Sequence, residues 1–456
     1  MINKKIIQPI KLLDKYLSIL DKTETVRSLG SVKEIIGNTI YSTGPDVRLG
    51  ELCHIEKVED ENYIQAEVIG FKDETIVLSP LDSISGIYPG SRVYSTGGPI
   101  QISLGDSMLG RIIDGLGNPL DSAGKLVSDD TRPLENTPPN PLDRPLIEEK
   151  LEFGIKAIDS FLTIGKGQRI GIFAGSGVGK CTLLGMIARY ATADVNVIAM
   201  IGERGREVAE FIKNDLGEIG LKKSVLVVAS SNESPMHRVR AAFMATTIAE
   251  YFRDKGKNVL LLMDSLTRLA MAQREIGLSA GEPAATKGYP PSAFTLLPEL
   301  LERAGTAKVG TITGVYSVLA EADDMNDPIV DAARGVLDGH IVLSRNLAMK
   351  SIYPAIDVPA SISRSMVNIT DSVQQTMAAT LRQMMAEYTE NEEIINLGAY
   401  VRGSNPVLDN AIKILNPLRN FMKQKVDDYQ NYETTMEQMK ALYAAVSSGE
   451  TLKKVG

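Results

Sequence analysis

The stretch RIGIFAGSGVGKCTLLGMIARY, residues 169 to 190, decides the fold of this chain. It begins as an apolar run typical of a buried strand, passes through a glycine-rich turn and continues as a helix-length segment. In that context the N–H groups of the turn and the positive end of the helix point at one anion, so the sequence predicts a phosphate-binding loop. The loop residues are Gly175, Ser176, Gly177, Val178, Gly179, Lys180, Cys181 and Thr182.

Apolar runs alternate with helix-length segments between about residues 150 and 350, which predicts a parallel sheet covered on both faces. Short strand-like runs before this region suit a small closed barrel, and the chain after about residue 371 is expected to be helical. The expected fold is α/β: a P-loop core with a mostly parallel, RecA-like sheet, preceded by a β-barrel and followed by a helical C-terminal domain. The expected segments are an amphipathic helix at 1–22, the barrel at 23–97, the P-loop domain at 98–375 and the helical domain at 376–456.

The stretch YIQAEVIGF, residues 63 to 71, is typical of a barrel strand because its side chains alternate between two faces. The buried face is expected to hold Ile64, Ala66 and Val68, and the other face Gln65, Glu67 and Ile69.

Apolar residues recur at helical spacing in the first twenty residues. They are Ile6, Ile10, Leu13, Leu17 and Leu20. This helix either packs on its own domain or docks on a partner or a membrane surface, and the sequence favours neither interpretation.

Composition narrows the classes of function. The net charge of −8 argues against a polyanion as the main partner, so no nucleic-acid partner is expected. Only two cysteines occur in 456 residues, which favours a reducing compartment. The start has no signal-peptide pattern, and the longest apolar runs are far below the roughly 20 residues that span a bilayer. The sequence predicts a cytoplasmic protein.

Carboxylates follow two of the predicted core strands. Asp264 ends the run NVLLLMD, a position suited to a group in the Mg²⁺ shell. Glu203 follows the run VNVIAMIG and is the candidate to orient and deprotonate the attacking water. Lys180 and Arg204 are candidates to bind the β- and γ-phosphates, and Glu207 is a candidate to hold Mg²⁺ through water.

These motifs, with DGLGNPLD at 114–121, GYPPSAFTLLPELLERAG at 288–305 and YPAIDVPASISR at 353–364, stand in one order along nearly the whole chain. Together they resemble the catalytic-subunit family of rotary ATPases, more specifically the type III secretion ATPases and above all their flagellar export form. The resemblance implies ATP hydrolysis with Mg²⁺ that energises protein export, unloading and unfolding cargo or releasing chaperones. Tyr353 would stack on adenine, and Arg364 would reach as an arginine finger into a neighbouring subunit's site.

The resemblance also implies partners. A finger supplied in trans requires an oligomer, and the family implies a homohexameric ring. The helix at 1–22 would bind an export regulator, and the segment 376–456 would face secreted substrates and chaperones. The chain would work beside the export gate, at the cytoplasmic face of the inner-membrane export apparatus.

Cys181 departs from the loop pattern, since Ser or Thr normally stands there and offers Mg²⁺ an oxygen. Magnesium is a hard ion and a thiol is a poor ligand for it. Because the anion cradle is built from backbone amides and Lys180, ATP binding is expected to persist, with Mg²⁺ in a shell formed by Cys181, Glu207, Asp264, phosphates and water and with turnover reduced. A thiol at a helix N-terminus is also expected to favour the reactive thiolate.

Two other functions stay open from sequence. Cys181 supports a nucleotide-binding but non-catalytic subunit of a rotary-type ring, although the presence of Glu203 speaks against it. An RNA-translocating hexamer of related core fold would need basic and aromatic side chains on the small N-terminal domain, where acids outnumber basic residues.

Overall fold

The computed structural model describes residues 28–57, 62–320 and 324–448. The predicted helix at 1–22 lies outside these residues. The chain divides into two compact units, Met1–Ile100 and Gln101–Gly456.

The first unit is a closed six-stranded barrel in the order β1-β2-β5-β4-β3-β6, with β1 paired to β6. Its strands are β1 Leu29–Ile36, β2 Thr39–Ser42, β3 Leu52–Glu56, β4 Tyr63–Lys72, β5 Thr75–Pro80 and β6 Arg92–Ser95. The predicted barrel is confirmed, and the apolar face expected for β4 lies in its core.

One side chain of that strand departs from the expectation. Glu67, expected on the outer face, is buried. The segment before β3 covers this point of the strand, because Gly50 donates its N–H to O of Val68 and Glu51 accepts the N–H of Val68.

The second unit is built around a nine-stranded sheet in the order β19-β18-β12-β17-β15-β13-β14-β8, with β16 paired to β17. The strands of this unit are β7 Gln101–Leu104, β8 Ile112–Asp114, β9 Asp130–Pro133, β10 Lys150–Leu151, β11 Ile164–Gly165, β12 Arg169–Ala174, β13 Val195–Ile201, β14 Ser224–Ala229, β15 Asn258–Asp264, β16 Gly305–Thr306, β17 Thr311–Leu319, β18 Gly339–Leu343 and β19 Ile356–Ser363. Neighbouring strands from β18 to β8 run parallel, which confirms the predicted sheet.

Two strands pair antiparallel to this sheet, β16 with β17 and the edge strand β19 with β18. In addition β8, which lies in the turn-rich stretch before the core, joins the far edge beside β14. These edge strands are short or partly exposed, so they lack the continuous apolar runs that identified the central strands.

Helices cover both faces of the sheet and then continue as a helical bundle. They are α1 Lys156–Phe161, α2 Lys180–Tyr190, α3 Gly205–Glu210, α4 Gly217–Lys222, α5 Pro235–Asp254, α6 Leu266–Ser279, α7 Pro291–Leu301, α8 Pro328–Val336, α9 Arg345–Met349, α10 Met366–Ile369, α11 Ser372–Asn396, α12 Pro406–Met422 and α13 Tyr432–Ser448. A π-helical turn, Phe211–Leu216, joins α3 to α4. None of the helices in the described part of the chain has the length and apolar character needed to cross a membrane.

The helical C-terminal part packs against the core through α11, α12 and α13, whose apolar side chains belong to the same buried cluster as the sheet. The expected boundary between residues 375 and 376 lies inside α11, which is one continuous 25-residue helix. Near its start, Gln374 donates to O of Asp159 at 3.2 Å and to Oγ1 of Thr163 at 3.0 Å. The C-terminal helices therefore contact the core at the segment around α1.

Candidate active site

The phosphate loop connects the end of β12 to the start of α2. Gly177 and Gly179 have φ values of 77° and 92°, a left-handed conformation that glycine adopts at no steric cost. Val178 between them is buried and anchors the loop in the core, whereas Ser176 and Gly177 are exposed. Helix α2 begins at Lys180 directly after the loop. This is the geometry of an anion cradle at a helix N-terminus.

Three charged side chains from three different elements meet beside the loop. Nζ of Lys180, at the start of α2, contacts Oδ1 of Asp264 at the end of β15 and lies 3.8 Å from Oε1 of Glu203, which follows β13. All three residues are buried. The parallel strands β13 and β15 are neighbours, so their carboxyl ends bring both carboxylates to one edge of the sheet.

Burial and the nearby charge of Asp264 raise the pKa of Glu203 to about 7, against the opposing effect of Lys180. The Glu207 carboxyl hydrogen-bonds with Glu203 and raises this pKa further. Oε1 of Glu203 has no hydrogen-bond partner among the described residues. A carboxylate with a pKa near neutrality and a free buried oxygen is suited to accept a proton from water.

In the described chain only one of the two carboxylate oxygens of Asp264 is hydrogen-bonded. The hydroxyl of Ser317, on β17, donates to Oδ1 at 2.6 Å, while Oδ2 is buried and finds no partner in the described chain. The described residues contain no group of three His, Cys, Asp or Glu side chains that forms a ready-made metal site. The free oxygen of Asp264 fits Mg²⁺ held jointly with phosphate oxygens, the usual mode for this ion at nucleotide sites.

Cys181 follows Lys180 in the first turn of α2 and is partly buried. Burial raises the pKa of its thiol to about 11; the Lys180 charge lowers it, and the Asp264 and Glu203 charges raise it. The expectation of a favoured thiolate is therefore wrong, because burial and the neighbouring carboxylates outweigh the Lys180 charge. The next residue, Thr182, directs its hydroxyl to Asp215 instead.

A pocket of about 1160 Å³ adjoins the phosphate loop. On one side it is lined by Gly179, Thr182 and Tyr353, and Tyr353 is 46% exposed. The other wall is formed by the segment 423–428, which follows α12. Its Gln424 donates a backbone N–H to O of Tyr353 at 2.9 Å. The aromatic ring therefore stands open beside the loop, with a fixed backbone.

Three of the predicted site residues stand apart from the buried cluster. The side chain of Arg204 is 73% exposed and lies 3.9 Å from Glu207. Arg364 directly follows the edge strand β19 with an exposed side chain, while its backbone N–H donates to O of Asp338 at 3.1 Å. Glu207 is connected to the cluster by its hydrogen bond with Glu203.

Three family models match the chain in succession. The beta-barrel domain of the ATP synthase alpha/beta family matches residues 32–97, and the nucleotide-binding domain of the same family matches residues 154–363. The C-terminal domain of the T3SS EscN ATPase matches residues 370–441. The flagellum-specific ATP synthase of Bacillus subtilis is 52% identical over 90% of this chain and 94% of its own length. The chain belongs to the flagellar and type III secretion ATPase family.

Other relatives of this export ATPase lie in both branches of the family. The type 3 secretion system ATPase of Xanthomonas euvesicatoria is 47% identical over 90% of this chain and 93% of its own length. The assembled ATPase EscN of enteropathogenic E. coli has a similar structure, with a TM-score of 0.85 and 46% identity over 91% of this chain and all of that one. The chain is accordingly an ATP-hydrolysing enzyme of protein export, and the non-catalytic alternative is not favoured.

The structure of this export ATPase adds site residues that sequence reasoning missed. Ser317 orients Asp264, and Gln424 joins the pocket to the C-terminal helices. Arg268, in the first turn of α6, lies close enough for its charge to lower the pKa of Glu203, and its buried Nε has no partner among the described residues. The only hint of Arg268 in the sequence is its position four residues after the strand end at Asp264, in the first turn of the next helix.

Proposed function

We propose that the chain hydrolyses ATP at the cluster of Lys180, Glu203 and Asp264 and uses the reaction to drive protein export. The observation that carries the proposal is a pair of buried oxygens without hydrogen-bond partners in the described chain, Oε1 of Glu203 and Oδ2 of Asp264, in the two carboxylates next to the Lys180 ammonium. Burying a carboxylate oxygen without a hydrogen-bond partner costs free energy. Two such oxygens at one place therefore support the binding of a polar ligand there.

The phosphates bind to the backbone N–H groups from Gly175 to Thr182 and to the Lys180 ammonium. Glu203 then orients the attacking water and accepts its proton at Oε1, a role that suits a carboxylate with a pKa of about 7. Arg268 supplies a second positive charge beside Glu203. Arg204 is exposed, so a contact of its guanidinium with the γ-phosphate requires a rotation of the side chain towards the loop.

Asp264, Glu207 and Cys181 are the groups that would hold Mg²⁺ together with phosphate oxygens. When bound, the ion neutralises charge on the β- and γ-phosphates. Glu207 would act through water, since its carboxyl contacts Glu203 in the protein. Tyr353 would stack on the adenine, because its ring is open to the pocket beside Gly179.

The active unit is a homohexameric ring in which Arg364 completes the neighbouring subunit's site. Its support is the exposed side chain at the end of an edge strand, away from the cluster of its own chain. An arginine finger supplied in trans is worth roughly 10³–10⁵ in rate. EscN, 46% identical to this chain, has been solved as an assembled ATPase and also in complex with its central stalk EscO, so a stalk partner is proposed here too.

The remaining partners follow from family membership. The segment 1–22 binds an export regulator, and the segment 376–456 meets secreted substrates and their chaperones. The ring works beside the export gate at the cytoplasmic face of the inner membrane.

Phosphate release measured against protein concentration tests the proposal. If each site is shared between two subunits, specific activity should rise steeply and cooperatively with protein concentration. Arg364→Ala is expected to lose most of the activity. Arg402→Ala, which changes an exposed arginine elsewhere in the same unit, is expected to keep it. Mixing Arg364→Ala with a Glu203→Gln variant is expected to restore part of the activity. Specific activity that is constant with concentration and unaffected by Arg364→Ala would contradict the trans arrangement.

A further inference from the structure

The phosphate loop carries a cysteine at the position that usually holds Ser or Thr. Cys181 stands where a hydroxyl normally offers an oxygen to the metal ion. It follows Lys180 in the first turn of α2, and the charges of Asp264 and Glu203 act on its thiol, so its sulfur lies near these carboxylates.

Thr182 cannot replace the missing hydroxyl. Its side chain hydrogen-bonds with Asp215, whose backbone O also accepts from Nη1 of Arg189 at 2.5 Å. The Asp215 segment lies tightly against α2, because a Cβ placed on Gly185 would come within 2.5 Å of Cβ of Asp215. The hydroxyl of Thr182 is therefore already engaged by Asp215.

A second and independent observation points to a cation at this place. Asp264 is 2% exposed, and its Oδ2 has no hydrogen-bond partner among the described residues. Oδ1 is already occupied by Ser317 and Lys180, which leaves Oδ2 as the free donor atom. With Cys181 in the position of the usual hydroxyl, the protein donors open to a cation would be Oδ2 of Asp264 and the Cys181 sulfur.

We propose that Cys181 makes this nucleotide site selective for thiophilic divalent cations, so that it binds the ATP complexes of ions such as Cd²⁺ or Co²⁺ in preference to the Mg²⁺ complex. The inference rests on the proposed function, since it concerns the same nucleotide site. A sulfur ligand is soft and polarisable, which favours borderline and soft ions and disfavours Mg²⁺. The backbone cradle and Lys180 bind the phosphates with any of these ions.

Calorimetric titration of the full chain with a non-hydrolysable ATP analogue tests this proposal, with Mg²⁺ or Cd²⁺ as the sole divalent cation. In the wild type we expect the Cd²⁺ complex to bind more tightly than the Mg²⁺ complex. In Cys181→Ser we expect the ratio of the two affinities to fall by about tenfold or more, the scale of losses when a metal's ligand environment is changed. Cys181→Ala serves as a second variant, because it removes both sulfur and hydroxyl.

Absorption spectra with Co²⁺ and the analogue give a readout that does not depend on affinity. A sulfur-to-cobalt charge-transfer band is expected in the wild type and in Cys53→Ala, which keeps Cys181 as its only cysteine. The band is expected to vanish in Cys181→Ser. Equal affinity ratios in the wild type and Cys181→Ser, with no such band, would overturn the proposal. Mg²⁺-dependent hydrolysis by the wild type would in that case still support the proposed function. Failure to bind the analogue with any cation would overturn both.

Discussion

The hydroxyl of Ser317 donates a hydrogen bond of 2.6 Å to Oδ1 of Asp264. The two residues lie on neighbouring parallel strands, β17 and β15, in the buried centre of the sheet. The bond fixes one carboxylate oxygen, while the other is buried and has no partner among the described residues. A serine within a strand thus orients the carboxylate that is proposed to face the metal.

Replacing Asp264 with Asn is expected to abolish most metal-dependent hydrolysis. The amide keeps the size of the side chain but removes the negative charge that balances Lys180 and holds the cation. We expect a loss of about 10²-fold or more in kcat, the scale for removing one preorganised electrostatic group. Steady-state phosphate release measures it, and Ser317→Ala, which leaves the carboxylate in place, should lose only about tenfold. Equal effects of the two substitutions would show that the carboxylate does not act directly.

Gln424 couples the nucleotide pocket to the C-terminal helices. It receives the N–H of Lys156 on Oε1 at 2.9 Å, donates from Nε2 to O of Gly154 at 2.8 Å and donates its backbone N–H to O of Tyr353. Gln424→Leu leaves the two buried backbone groups unpaired, so we expect the segment 423–428 to shift away from the pocket.

The expected result for Gln424→Leu is a KM for ATP raised by roughly tenfold, with a smaller change in kcat, because the pocket wall binds substrate and transition state alike. Gln383→Leu, on an exposed position of α11, is the matched control and should keep the wild-type KM. If kcat fell while KM stayed constant, the residue would have a role in chemistry and not in the pocket wall.

Asp159 predicts a pH dependence of stability. Its carboxylate accepts the backbone N–H groups of Phe153 at 2.9 Å and Ile155 at 3.2 Å, yet complete burial raises its pKa to about 7. The pKa in the unfolded chain is about 3.9. Because the folded-state pKa is the higher one, the folded state gains stability below about pH 4, and this stability is lost as pH rises towards 7.

Urea unfolding of the wild type and of Asp159→Asn at pH 5 and pH 8 measures this effect. The neutral amide does not titrate. From pH 5 to pH 8 the wild type is therefore expected to lose about 2 kcal/mol of its free energy of unfolding that Asp159→Asn keeps. Asp427→Asn, at an exposed position of the same unit, should show no such change. A difference between Asp159→Asn and wild type that stays constant with pH would disprove a titrating Asp159.

The buried ion pair of Arg303 and Glu250 is expected to be a main support of the second unit. Both side chains are fully buried, with Nη2 of Arg303 2.7 Å from Oε2 of Glu250 and further bonds from Arg303 to Thr247 and to O of Leu134. Glu250→Gln leaves a buried guanidinium without its counter-charge, and we expect it to lower the free energy of unfolding by about 3–5 kcal/mol.

Thermal or urea unfolding measures this loss. The comparison is Glu210→Gln, which removes an exposed ion pair with Arg206 and should cost less than about 1 kcal/mol. Similar losses in the two variants would show that burial does not increase the contribution of the Arg303 pair to the free energy of unfolding.

Much of the fold and of the central cluster could be predicted from the sequence. Continuous apolar runs identified the central parallel strands, and strand ends on one edge of a parallel sheet must meet. That is why Lys180, Glu203 and Asp264 were expected together although 84 positions separate the first from the last. The edge strands were missed because β8 is short and β19 alternates buried and exposed residues.

The remaining site features depend on tertiary packing that leaves no local pattern. Gln424 bonds to backbone groups some 270 positions away, and any residue type could have supplied those. Thr182 turns to Asp215 because Gly185 allows the helices to approach closely. The thiol of Cys181 was expected to ionise from its helix position alone, whereas its burial could be judged only from the folded chain.

The most direct test of the account is phosphate release from ATP by the wild type and by Glu203→Gln, with ATP binding measured on the same samples. The amide keeps the shape of Glu203 but cannot accept a proton at Oε1. The wild type is expected to release phosphate, and the variant to release it about 10²–10⁴-fold more slowly, with an ATP affinity that stays within a few fold of the wild type. A variant that hydrolyses ATP as fast as the wild type would contradict the account.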